Sequence, residues 1–189
     1  MPNTGHHVMG DNPVEIADYD PQWPPSFRAL QGALGAALSD LALTIEHIGS
    51  TAVPGLPAKP ILDIDVVIES ATHLPRAVQV LVGLGYVHQG DLGITGREAF
   101  KRLGEDVPRD GTGRTWPEHH LYVCPQDSPE LRRHLAFRDY LRAHPDQAAA
   151  YGNLKQRLAQ QFRHDRDGYC NAKAAFIAEA LRQAAEIAK

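Results

Sequence analysis

Hydrophobic positions along the chain recur with two periods, and the changes between them predict the elements. Trp23, Phe27, Leu30, Leu34, Leu38 and Leu41 recur at steps of three and four. That spacing predicts an amphipathic helix over about 24–40, with Pro24 and Pro25 in its first turn. Ahead of it, Val14-Glu15-Ile16 reads as a short edge strand ended by Asp18-Tyr19-Asp20-Pro21. Leu43 to Ile48 reads as the first sheet strand, and residues 61–68 are nearly all apolar, as a strand covered on both faces would be. Leu74, Val78, Leu81 and Val82 mark the buried side of a helix over about 72–83, stopped by Gly83 and Gly85. Tyr86 to His88, Glu98 to Leu103 and His119 to Val123 read as further strands. From Pro129 onward the period is helical, over about 129–143, 146–164 and 167–187. The prediction is an α+β fold: a flexible tail at 1–12, a sheet core over 13–128 and a C-terminal helical segment over 129–189 packed on it. Gly104 to Pro117, rich in Gly, Asp and Arg and without a period, is predicted to be mobile.

Two carboxylates interrupt the apolar run. Along a strand side chains alternate, so Asp63 and Asp65 project from one face about 7 Å apart while Ile64 points into the core. Such a pair suits a hard divalent cation, Mg²⁺ or Mn²⁺, shared with substrate phosphates. The plainer alternative is an Asx pair capping a strand end. Thirteen residues earlier lies Gly49-Ser50, where a residue without Cβ lets backbone approach a phosphate and the hydroxyl and amides can donate to it. The loop between holds Pro54, Pro57 and Pro60, so it has few conformations to lose on ordering.

The Gly-Ser…Asp-x-Asp arrangement resembles the nucleotidyltransferase superfamily, with its polymerase-β-like fold of a mixed β-sheet with flanking helices. The longer string EHIGSTAVPGLPAKPILDIDVVI resembles the GrpB family within it. The likeness extends through DYDPQWPPSF, HHLYV, LAFRDYLRAHP and two Tyr-x-x-x-Lys pairs, from about residue 14 to residue 180. It implies a transfer of a nucleoside monophosphate from an NTP to an acceptor, with Asp63 and Asp65 as metal ligands. Superfamily members often add a third carboxylate on a later strand. Here that strand is His119 to Val123 and holds none, so His120 is the candidate substitute as ligand or base, with Glu98 and Glu118 as alternatives. Tyr122 departs from the His-Leu-His-Val that related sequences carry at this point.

Basic residues complete the candidate set. Lys59 precedes the Asp-x-Asp strand and Arg97 follows a glycine turn. Tyr151-x-x-x-Lys155 and Tyr169-x-x-x-Lys173 each set an aromatic ring and an ammonium on one helix face. Phosphate binding and simple stem packing of Lys over Tyr are both open for these. Arg138 lies among Phe137, Tyr140 and Leu141, where an inward guanidinium needs an anion or an acidic partner. His47 is expected toward the cleft and Glu46 in an internal pair. A net charge of −4 argues against general nucleic-acid binding, and Cys124 with Cys170 is too few for a disulfide framework. No apolar run approaches a membrane span, so a cytoplasmic protein is expected. A catalytically weak nucleotide-binding accessory module is the alternative function, on the missing third carboxylate. The family's occasional fusion to dephospho-CoA kinase, which implies a link to coenzyme A metabolism, fits either role.

Overall fold

The computed structural model describes residues 13–187; the tail expected at 1–12, with His6 and His7, lies outside the described residues. Five strands, β1 (Ala42–Ile48), β2 (Leu62–Ile68), β3 (Tyr86–Gly90), β4 (Glu98–Arg102) and β5 (His119–Pro125), form one sheet in the order β1-β2-β5-β4-β3. β2 and β5 run parallel, and the other neighbours antiparallel, so the sheet is mixed. α1 (Trp23–Leu38) and α2 (Leu74–Gly83) cover one face. α3 (Pro129–Ala143) crosses the other, followed by α4 (Pro145–Gln161), α5 (Arg166–Ala172) and α6 (Ala174–Ile187).

Alternation along β2 divides the two faces. Leu62, Ile64, Val66 and Ile68 pack with Leu30, Leu34, Leu38 and Leu81 in the main core. Each such side chain contributes about 1.5–3 kcal/mol by leaving water. The intervening Asp63, Asp65 and Val67 face the opposite way, toward α3. Val67 and Cys124 meet Leu131 and Leu135 at one end of that helix. Further along it, His134, Arg138 and Arg142 come down at four-residue steps onto Asp65, Glu46 and the Ala52 carbonyl.

Four expectations are corrected. Val14 to Ile16 forms no strand: Val14 packs with Leu158, Ala159 and Tyr169, and a single bridge joins Ala17 to Ala58. The helix expected from 72 begins at Leu74 after a short 3₁₀ turn, so Ala77 and Leu81 take its inner line and Val82 is half exposed. The last helix is broken at Lys173. The stretch from Gly104 to Pro117 is irregular yet fastened, because Val107 and Trp116 are buried in the main core and the Trp116 indole donates to the Pro108 carbonyl at 2.8 Å.

Candidate functional site

Strand register assembles the polar face. The antiparallel β1–β2 pair sets Glu46 opposite Asp65 and Ile48 opposite Asp63, and the parallel β2–β5 pair aligns His120 with Asp63 and Tyr122 with Asp65. Aligned residues share a face. The two aspartates are nevertheless unlike. Asp63 keeps 31% of its side chain exposed and its Oδ1 lies 2.9 Å from His120 Nδ1. Asp65 is fully buried, with Oδ2 2.7 Å from His134 Nδ1, whose Nε2 is 3.1 Å from Glu130. Burial raises the Asp65 carboxyl despite the opposing His134 contact. For His134, burial acts to lower the pKa, but the hydrogen bond and charge of Asp65 and the charge of Glu130 outweigh it, and the result is raised. Asp65 Oδ1 is buried without a hydrogen-bond partner among the described residues. His134 was not identified from the sequence. The available signal was the Glu130-x-x-x-His134 spacing in the first turns of a helix.

Gly49 has φ 68° and leads into a 3₁₀ turn over Ser50–Ala52. A Cβ there would stand 3.0 Å from Asp63 Cβ and Cγ, so the glycine is needed first for the aspartate to pack on the turn. His47 turns away from the cleft, correcting the expectation. It stacks on Phe27 at 4.6 Å, meets Thr51 Oγ1 at 3.0 Å, and is pushed down to about 4 by burial, with Arg142 assisting. Glu46 does pair internally. Arg138 Nη1 lies 2.7 Å from it and also donates to the His47 carbonyl, so the acidic partner is the one the structure supplies.

Lys59, Lys155, Lys173 and Arg166 line a cavity of about 170 Å³ together with Ser50, Asp63 and His120. Lys155 is 2% exposed; its Nζ donates to the Pro57 carbonyl and lies 4.8 Å from the Tyr151 ring. Lys173 and Lys59 lie 4.2 and 5.2 Å from the Tyr169 ring. All three ammonium groups are pushed down, chiefly by burial. Lys155 reaches about 7 with Lys173 contributing, and Lys59 is lowered further by Arg166. Arg97 stands apart. It lines a second cavity of about 310 Å³ with Tyr122, His134 and Phe137, which meets the first at Ser50, Asp63 and Lys173.

Neither alternative carboxylate reaches the face. Glu98 is aligned with Val123 on the core side and pairs with His88 at 2.6 Å. Glu118 is largely exposed, 3.8 Å from Arg102. Among the described residues no three His, Cys, Asp or Glu side chains are grouped to hold a metal. No helix among them is long and apolar enough to cross a membrane.

A mixed sheet carrying a Gly-Ser turn beside alternate aspartates, closed by helices, is the nucleotidyltransferase-like fold. A crystal structure of the Cid1 poly(U) polymerase bound to MgGTP shares it, with 16% identity and a TM-score of 0.52, covering 78% of this chain and 44% of that one. Residues 13–183 match the GrpB protein family, and the chain belongs to that family. The crystal structure of GrpB from Enterococcus faecalis is 34% identical with a TM-score of 0.76, covering 90% of this chain and 96% of its own. A UPF0157 protein of Pseudomonas aeruginosa is 41% identical over 175 residues, 92% of this chain and 69% of that protein. A dephospho-CoA kinase of Mycolicibacterium paratuberculosis is 30% identical over 189 residues, 91% of this chain but 46% of that protein.

Proposed function

We propose that this protein is a Mg²⁺- or Mn²⁺-dependent nucleotidyltransferase of the cytoplasm that moves a nucleoside monophosphate from an NTP to an acceptor. The observation that carries the reading is the gathering of Lys59, Lys155, Lys173 and Arg166 on one side of Asp63, beside the Gly49-Ser50 turn. Four cations around one carboxylate suit a ligand with several negative charges, and a triphosphate has them. Lys155, buried and near neutrality, regains its full charge when a phosphate replaces water beside it. The partnerless Asp65 Oδ1 and the cleft-facing Asp63 fit one divalent cation, which when bound neutralises charge on the phosphate oxygens.

In this arrangement Ser50 and the turn amides hold the triphosphate, and the lysines and Arg166 hold its β and γ groups. The acceptor oxygen bonds to the α-phosphorus, a hydroxyl acceptor giving its proton to bulk water, as the α–β bridging bond breaks and pyrophosphate leaves toward the lysines. His120, held on Asp63, lines the lysine side and is placed to hydrogen-bond the leaving group.

A second reading is favoured by a specific observation. The further carboxylate on that face, Glu46, is taken by Arg138, and His134 already counters the charge of Asp65. That suits a catalytically weak nucleotide-binding accessory module, and a dephospho-CoA kinase among the relatives suits a link to coenzyme A metabolism. The test incubates purified protein with each NTP, Mg²⁺ or Mn²⁺, and a small-molecule cell extract as acceptor source. Extract-dependent pyrophosphate release supports transfer. Saturable NTP binding without release under any combination supports the module.

A further inference from the structure

We infer that Arg97, stacked on Tyr122, forms a second anion subsite that holds a carboxylate or phosphate group of a small acceptor. The inference rests on the nucleotidyl-transfer reading for the word acceptor, and on geometry alone for the anion.

Position comes first. Arg97 precedes β4 by one residue and, at two residues before Ala99, leaves the strand on the same face. Ala99 is aligned with Tyr122, and its short side chain leaves room for the guanidinium to lie over the phenol ring, 4.3 Å from the centroid. Behind it, Gly96 has φ 81° and packs on the Ser128 hydroxyl that caps α3, where a Cβ would stand 3.1 Å away. The arginine is therefore mounted on two fixed elements.

Among the described residues its guanidinium forms no ion pair, although Asp63 shares its cavity and Asp65 feels its charge. Arg97 Nε is buried without a hydrogen-bond partner among the described residues. Of the carboxylates near it, Asp63 on the wall of the same cavity meets His120, Asp65 meets His134 through Oδ2, and Glu130 meets Arg133 and His134. A stacked, half-buried guanidinium with an unused edge is a planar receptor for an oxyanion.

Side decides the role. In-line displacement puts the attacking oxygen opposite the leaving one. With pyrophosphate leaving toward Lys155 and Lys59, the space left for the attacking group beside Asp63 is the adjoining cavity of Arg97 and Tyr122, which those two lysines do not line. Its volume of about 310 Å³ admits a small molecule, and Ile48, Phe137 and Ile177 in its walls favour an apolar or aromatic body beside the anionic group.

The test uses phenyl phosphate and benzoate as probes, titrated into the full-length protein and followed by NMR, with Mg²⁺-NTP affinity measured in parallel. Saturable binding of either probe, weakened at least tenfold by Arg97→Met and by Arg97→Lys with NTP affinity held, supports the subsite; the tighter probe names the oxyanion. Arg97→Lys keeps the charge and loses the planar stack, so it decides the matter should the methionine variant not fold. No binding of either probe to the folded parent, or equal binding to the variants, overturns the inference. A parallel loss of NTP affinity also overturns it, by returning Arg97 to the nucleotide site. Probe binding by a protein that binds no NTP leaves the anion subsite standing and sinks the transfer reading instead.

Discussion

Asp63 and Asp65 stand two residues apart on one strand face, yet they meet different chemistry, and single substitutions separate them. In Asp65→Asn the negative charge that raises His134 is gone, while burial and Glu130 remain. His134 is then expected to titrate at lower pH than in the parent, and Asp63→Asn to leave it near the parent value, read from the ring-proton shifts of the imidazole. An unmoved His134 in Asp65→Asn would mean that Glu130 alone sets its charge. The face carrying these aspartates was legible in the sequence, because alternation along an apolar strand leaves two carboxylates only one way to point. Their inequality was not. It depends on His134, 69 residues further along, descending from α3 onto one aspartate and missing the other.

At the scale of elements, the loop from Ala52 to Pro60 is held less by its prolines than by the helices above it. Arg142 donates to the Ala52 carbonyl and Lys155 to that of Pro57. Gly152 lets α4 settle onto the Pro57 ring, where a Cβ would stand 3.0 Å from Cδ. Gly152→Val is expected to destabilise the fold by about 1–3 kcal/mol in urea unfolding, the usual range for overpacking. It should also weaken NTP binding, because lifting α4 displaces Lys155. Wild-type stability in that variant would mean that the loop yields. The Tyr-x-x-x-Lys spacing made Lys155 a candidate, but nothing in the sequence indicates that its ammonium is buried against a loop carbonyl. Likewise the break at Lys173 was hidden, since the alanines on both sides continue a helical period. That break ends α5 at Ala172 and leaves Lys173 beside the Tyr169 ring.

Across the whole molecule, buried cationic groups predict an unusual pH profile. His47 and His119 are lowered to about 4 by burial, and Lys155 to about 7, with Lys59 and Lys173 lowered too. In each case the unfolded chain binds more protons than the folded one between the folded and the ordinary pKa, so stability rises with pH across that interval. His134 and the Asp65 carboxyl, both raised in the fold, oppose this, each above its ordinary pKa. Above about 10 the sign reverses, because Tyr122 and Tyr169, raised to about 12, stay neutral in the fold while unfolded tyrosines ionise. Urea midpoints should therefore climb from pH 5 to pH 9 and fall beyond 10. Lys155→Met, which keeps the stem and removes the ammonium, should flatten the climb between 7 and 9 and raise stability at pH 7. A profile unchanged by Lys155→Met would contradict the assignment of a neutralised buried lysine. The sheet-then-helices order that frames this was readable from the periods alone, and the GrpB family from the longer string EHIGSTAVPGLPAKPILDIDVVI. The cost of burying the cations was not, because burial arises from packing between segments far apart in the chain.

The central claim is that the lysine side of Asp63 holds a metal-bound triphosphate. Calorimetric titration of Mg²⁺-NTP into the parent and into Asp63→Asn tests it most directly, since the substitution keeps shape and removes one charge facing the cleft. The account predicts saturable binding to the parent and at least tenfold weaker binding to the variant, a loss of about 1.4 kcal/mol or more. Equal affinity in the two proteins, or no binding of any NTP to the folded parent, would contradict it.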